Sequence, residues 1–135
     1  MPIVGFNLNS INAKNEEKIV KGEINISSTP IIKNVEKKDL DLIKDVISIQ
    51  FGFKTIYEPK IGEINFEGEI LYQTEDIKKI LKVWKDEKKL DDKIAVDVLN
   101  TIFRRCLTKA AEISDELRLP PPIRFPVVQP KSEGN

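Results

Sequence analysis

No histidine occurs in the sequence, and Cys106 is its only cysteine. The missing histidines remove the commonest general base, the commonest metal ligand and the usual physiological pH switch. With a single thiol beside them, a structural zinc site of the usual kinds is excluded. One cysteine also excludes an intrachain disulfide, which fits a reducing, cytoplasmic setting. Charge of one sign is not in excess, since 22 Lys and Arg balance 22 Asp and Glu. That balance argues against a general nucleic-acid binder and gives no attraction to an anionic membrane. Glycines are scattered (Gly5, Gly22, Gly52, Gly62, Gly68), and none builds a phosphate-cradling loop ahead of a helix. The first residues lack a basic, then apolar, signal-peptide pattern, and no 18-residue apolar run predicts membrane insertion. No cofactor and no metal is expected, and an enzyme would have to work with carboxylates, lysines and hydroxyls alone.

What remains is a globular composition, 40% hydrophobic and 33% charged over 135 residues. A chain of this size can bury roughly two-thirds of its unfolded surface in one core. A single domain over residues 1–126 and a flexible polar tail over 127–135 are expected. The lysine- and glutamate-rich surface is of a kind common in hyperthermophile proteins.

Alternating hydrophobicity marks strands. Over residues 3–12, Val4, Phe6 and Leu8 oppose Gly5, Asn7 and Asn9, until Ile11 breaks the phase and suggests a bulge or a strand end. Polar residues 13–18 read as a connection. Alternation resumes over 19–27 with Val20, Ile24 and Ile26, while 28–45, opened by Pro30, reads as a strand end followed by a loop or short helix. Residues 46–57 and 62–73 alternate cleanly and, with a short link containing Pro59, predict an antiparallel hairpin. After Tyr72 the period becomes helical. Thr74 suits an N-cap before Ile77, Ile80, Leu81 and Trp84. A second helix is expected from Asp92 to about Leu117. Its stripe is Ala95, Leu99, Ile102, Cys106, Ala110, Ile113 and Leu117, widened by Ile94, Val98, Phe103 and Leu107. Pro120, Pro121 and Pro122 end it. The fold class is therefore α+β, a four-stranded antiparallel sheet followed by two C-terminal helices, the second long.

Glu63, Glu67 and Glu69 share the wet face of the second hairpin strand with Asn65. They read either as a solvated, edge-protecting face or as a surface for a cation or a basic partner. Gly52 and Gly68, inside strands, suggest a bulge or the close approach of another backbone, as at a subunit interface. Arg104 and Arg105 read as surface salt-bridge partners, and Cys106, on the apolar stripe, as an inert buried thiol. The inner sheet face and both helix faces together exceed what one small core needs. The surplus points to a shared interface, with an oligomer ahead of a ligand groove.

The order of four strands, a shorter helix, a long helix and a proline-bearing apolar tail resembles the SecB family of export chaperones. Two stretches bear the closest likeness: Ile102-Phe103-Arg104-Arg105-Cys106-Leu107-Thr108-Lys109, and the helix exit Leu117-Arg118-Leu119-Pro120-Pro121-Pro122-Ile123-Arg124-Phe125. In sequence the resemblance spans about residues 100–126. It implies a homotetramer, a dimer of dimers, that holds unfolded or precursor polypeptides on hydrophobic surface without ATP. Client contacts would fall on Phe103, Leu107, Leu117, Leu119, Ile123 and Phe125. Glu63, Glu67 and Glu69 would lie on the acidic sheet surface by which bacterial members meet the translocase ATPase SecA. A divergent archaeal member would not be expected to meet SecA, although holding activity could persist without it. An alternative within the same resemblance is an adaptor for one defined partner, such as an antitoxin. Residues 12–22 depart from the family, because they lack the prolines and aromatics of its first crossover. That departure leaves open whether the deep aromatic part of the client groove, and with it the family's client preference, carries over to this chain.

Overall fold

A computed structural model describes residues 3–19 and 21–130. Four strands, β1 (Ile3–Asn15), β2 (Asn25–Lys38), β3 (Val46–Glu58) and β4 (Gly62–Gln73), precede helices α1 (Ile77–Glu87) and α2 (Asp92–Glu116). The strands form one antiparallel sheet in the order β1-β4-β3-β2.

The central hairpin is β3–β4, turning at residues 59–61 beside a cis Glu58–Pro59 peptide. Its register sets Ile47, Ile49, Phe51, Phe53, Thr55 and Tyr57 opposite Tyr72, Ile70, Gly68, Phe66, Ile64 and Gly62. All of these are buried and form the sheet side of the core. Gly68 lets the Phe51 ring lie across the strand, for a Cβ there would stand 2.7 Å from Phe51 Cζ and closer still to the Asn7 carbonyl oxygen. The close approach at Gly68 is thus made by the chain's own first strand.

The first half departs from the sequence expectation. β1 continues through Ala13 to Asn15, residues expected in a connection. The phase break at Ile11 is a bulge: the register against β4 slips between Leu8 and Ser10, which returns Ile11 and Ala13 to the face of Leu8. The second strand lies later than the expected 19–27, starting at Asn25 and running through Pro30 to Lys38. Val20 lies outside the described residues. Topology explains the shift, because β1 and β2 occupy opposite edges. The link between them spans three strand spacings, roughly 14 Å; its Glu16 N–H bonds the Ile61 carbonyl at the β3–β4 turn, and its described residues carry no strand. Pro30 argues against a strand only at a central position; on an edge strand its missing N–H is tolerated. Residues 39–45 form a loop without helix.

The helices cover the inner face. α1 starts at Ile77, with Asp76 rather than Thr74 at its N-cap position; the Thr74 hydroxyl accepts the Asp76 N–H at 3.4 Å. Ile77, Ile80 and Trp84 are its buried row. In α2 the buried row is Ile94, Val98, Ile102, Cys106, Ala110 and Ser114, a strict four-residue spacing. Truncating one of its branched members, such as Ile102 to alanine, should cost about 2–5 kcal/mol. The adjacent row, Ala95, Leu99, Phe103, Leu107 and Ala111, is only half-buried.

Candidate polypeptide-binding surface

α2 runs along the central hairpin from the Tyr72 end to the Gly62 end. Near its start Asp97 accepts from the Tyr72 hydroxyl at 3.4 Å. Midway, the Phe103 ring meets Phe53 edge to face, with centroids 5.8 Å apart and planes at 87°. Close by, the Arg105 guanidinium stacks over Phe6 at 4.7 Å, and Phe6 itself lies 5.4 Å from Phe51. The helix thus has two flanks, one toward β1 at Arg105 and one toward β2 at Phe103.

The β2 flank is the more apolar. In register, Ile26, Pro30 and Ile32 lie opposite Tyr57, Phe53 and Phe51, on the helix side of the sheet, and all three are half-buried. Leu99, Phe103 and Leu107 form the facing wall, on one helix face by their four-residue spacing. Ala111 continues that row and also lines a groove of about 590 Å³ with Leu119, Pro121, Ile123 and Phe125. Thr108, Glu112, Ser114 and Asp115 supply its polar positions. A trough of half-buried apolar surface therefore follows one side of α2, packed on the core at its base, and reaches the groove under the proline-rich exit.

The proline exit is tied to the sheet at its base. Asn15 Nδ2 donates to the Leu117 carbonyl at 2.7 Å, and the Tyr57 hydroxyl donates to the Pro120 carbonyl at 2.7 Å. Leu119 N–H bonds the Ser114 carbonyl at 2.8 Å. Leu119 is only 5% exposed and packs where a Gly62 Cβ would stand, so it is the floor of the groove and not a projecting contact. Of the predicted client contacts, Phe103, Leu107, Ile123 and Phe125 come together along the trough through Ala111. Leu117 is half-buried at the helix end, on the Asn15 side. Of the trough residues of β2, Ile26 falls within the expected strand 19–27, whereas Pro30 and Ile32 lie beyond it and no local pattern joins them to the same face. Ala111 was legible only as the continuation of a four-residue spacing.

On the outer sheet face each predicted carboxylate meets a lysine. Glu63 lies 3.8 Å from Lys54, Glu69 lies 3.5 Å from Lys38, and Glu67 pairs with Lys33. Lys33 reaches Glu67 from two strands away by crossing Gly52, where a Cβ would stand 3.0 Å from its Cε. Glu69 is the least exposed of the three, at 16%, and also accepts from the buried Ser48 hydroxyl at 2.5 Å. The face is a mixed-charge lattice. Arg104 and Arg105 form no ion pair among the described residues, which corrects the expectation of salt bridges there. Burial pushes the Cys106 thiol up to about 12, against a smaller downward pull from Arg105, so it stays neutral. Among the described residues no three Asp, Glu or Cys side chains gather as a metal site, and no helix is long and apolar enough to cross a membrane.

No family model and no curated protein matches the sequence. The fold is similar to that of the Mycobacterium tuberculosis SecB-like chaperone Rv1957, solved in complex with a ChAD peptide from the Rv1956 HigA1 antitoxin. The match covers 96% of this chain and 91% of that chain, with a TM-score of 0.59 and 17% sequence identity. At that identity the likeness establishes a SecB-like fold.

Proposed function

We propose that this chain is an ATP-independent, holdase-type chaperone that binds unfolded or precursor polypeptides in the cytoplasm as a homotetramer. The trough is the observation that supports this most directly. Its half-buried apolar row from Ala95 to Ala111 runs into the groove bounded by Ile123 and Phe125. An elongated apolar strip that runs into a groove fits an extended chain better than a compact ligand.

Assembly is supported by the sheet edges. β1 carries one charge, Lys14, in 13 residues, whereas β2 carries Pro30, Lys33, Glu36, Lys37 and Lys38. Charges and proline protect an edge, so β2 is guarded and β1 is open to pairing with a second copy. A translocase on the outer face would have to exchange the lysines now paired with Glu63, Glu67 and Glu69. That requirement weakens the outer face as a partner surface.

A second reading, a dedicated chaperone for one antitoxin-like partner, is favoured by the antitoxin peptide bound to the SecB-like neighbour. The two readings differ in promiscuity. Several unrelated unfolded proteins should be kept from aggregating by a general holdase, with no effect of added ATP. Protection of one partner alone selects the dedicated reading, and protection of none overturns both. Phe103→Ser with Leu107→Ser should lower affinity for a labelled, unfolded polypeptide about tenfold or more. Light scattering should return a tetramer; a particle near the chain mass of 15.4 kDa would end the assembly proposal.

A further inference from the structure

The large apolar side chains of the C-terminal exit become more exposed from Leu119 to Val128. Leu119 is 5% exposed and Ile123 half-buried, while Phe125, Val127 and Val128 are 55%, 75% and 96% exposed. The base is fixed by the Leu119, Pro120 and Leu117 hydrogen bonds, and three consecutive prolines stiffen the chain as it leaves that base. Past the prolines, three large apolar side chains stand mostly in water. Between this arm and the last turns of α2 lies the open groove, whose α2 wall is Thr108, Ala111 and Asp115. An anchored base, a stiff segment and an apolar tip thus stand beside an open apolar slot.

We infer that residues 123–128 are a clamp that closes over an extended polypeptide lying in the groove, with Phe125, Val127 and Val128 covering it against α2. The occupant is an apolar client segment, since the slot continues the Ala95–Ala111 row and the arm beyond Arg124 offers Phe125, Pro126, Val127 and Val128. This rests on the proposed polypeptide-binding function and adds a moving wall to it. A clamp acts on release. Client association should not need the arm, whereas dissociation should be slowed by it.

The test uses the full chain and a truncation ending at Ile123, with fluorescent, reduced and carboxymethylated α-lactalbumin as the unfolded probe. Truncation should speed dissociation about tenfold or more, leave association within about twofold, and leave the melting temperature unchanged. A second variant, Ala111→Cys with Phe125→Cys, is bridged by a short bismaleimide; the native Cys106 is fully buried and stays out of the reaction. Bridging before the probe is added should block association, and bridging afterwards should trap the probe. A truncated chain that releases the probe at the wild-type rate, or a bridged chain that binds and releases it freely, overturns the clamp while leaving the holdase reading intact. A truncation that lowers the melting temperature markedly overturns it too, by making the arm a packing element. Failure of the wild-type chain to bind the probe overturns the holdase reading and the clamp with it.

Discussion

The Tyr57 hydroxyl donates to the Pro120 carbonyl at 2.7 Å, joining the end of β3 to the exit of α2 across 63 positions of sequence. This bond fixes where the long helix stops being helix and where the apolar arm begins. Tyr57→Phe should cost about 1 kcal/mol at neutral pH, because the carbonyl loses its partner at a part-buried site. Urea unfolding at pH 7 measures this, and an unchanged midpoint would deny the bond its role.

Stability should also fall at alkaline pH. Burial pushes the Tyr57 hydroxyl above the usual tyrosine value, against a smaller downward pull from Ser114. Tyr72 is raised as well, first by burial and then by the Asp97 charge. A raised folded value means that the native state holds its proton longer than the unfolded chain does. The contribution is therefore complete below about pH 10 and is lost as pH climbs through the folded values. Thermal melts from pH 8 to 11.5 should decline above pH 10, less steeply in Tyr57→Phe. Identical slopes in the two proteins would contradict the assignment.

The three outer-face glutamates should separate on mutation. Glu67 pairs with Lys33 in solvent, so Glu67→Gln should change stability by less than about 1 kcal/mol. Glu69→Ala should cost about 1–3 kcal/mol, since it leaves the buried Ser48 hydroxyl without its acceptor. Adding Ser48→Ala should recover part of that loss. A double mutant no better than the single would place the cost elsewhere.

Gly68→Ala should be among the most damaging small substitutions, because its Cβ has no room between the Phe51 ring and the Asn7 carbonyl. We expect a loss of about 1–3 kcal/mol or more. Hydrogen exchange should quicken first in β1, which must move away from β4. Gly22→Ala offers a contrast: its Cβ would meet nothing within 4 Å, so only backbone strain at φ +114° acts there.

Cys106 should resist alkylation in the native state at pH 8, being fully buried with its thiol pushed up to about 12. Labelling by iodoacetamide should appear only with unfolding and should track it. Rapid labelling of the folded protein would contradict the packing of α2 on the sheet.

The β3–β4 hairpin was legible because each strand has one wholly buried face and one wetter face, which writes strict alternation into residues 46–57 and 62–73. β2 was not. Its inner face holds Ser28, bonded to Thr55 at 2.9 Å, and Pro30, and a bulge between Ile32 and Asn34 shifts the phase before Val35. An edge strand half wet on both sides leaves no period to read. The long helix was legible in extent but rotated, for apolarity favours Ile113 whereas Ser114 is the residue buried. Its hydroxyl donates to the Ala111 carbonyl at 2.7 Å and so loses nothing by leaving water. The trough inherits only the first of these differences: its helix wall of Leu99, Phe103 and Leu107 is readable in advance, and its side on β2 is not. Lys33 crossing Gly52 to Glu67 depends on register across three strands, which no local pattern contains.

The opposite-edge placement of β1 and β2 bears on biosynthesis. Among the described strands β1 is made before the other three, yet its partner β4 is made after them, ending at Gln73. Until then Ile3, Phe6 and Leu8 have no sheet to join, while β2, β3 and β4 can assemble in order as they appear. We expect nascent chains stalled before residue 62 to leave β1 open to proteases, and chains released at full length to protect it after the hairpin.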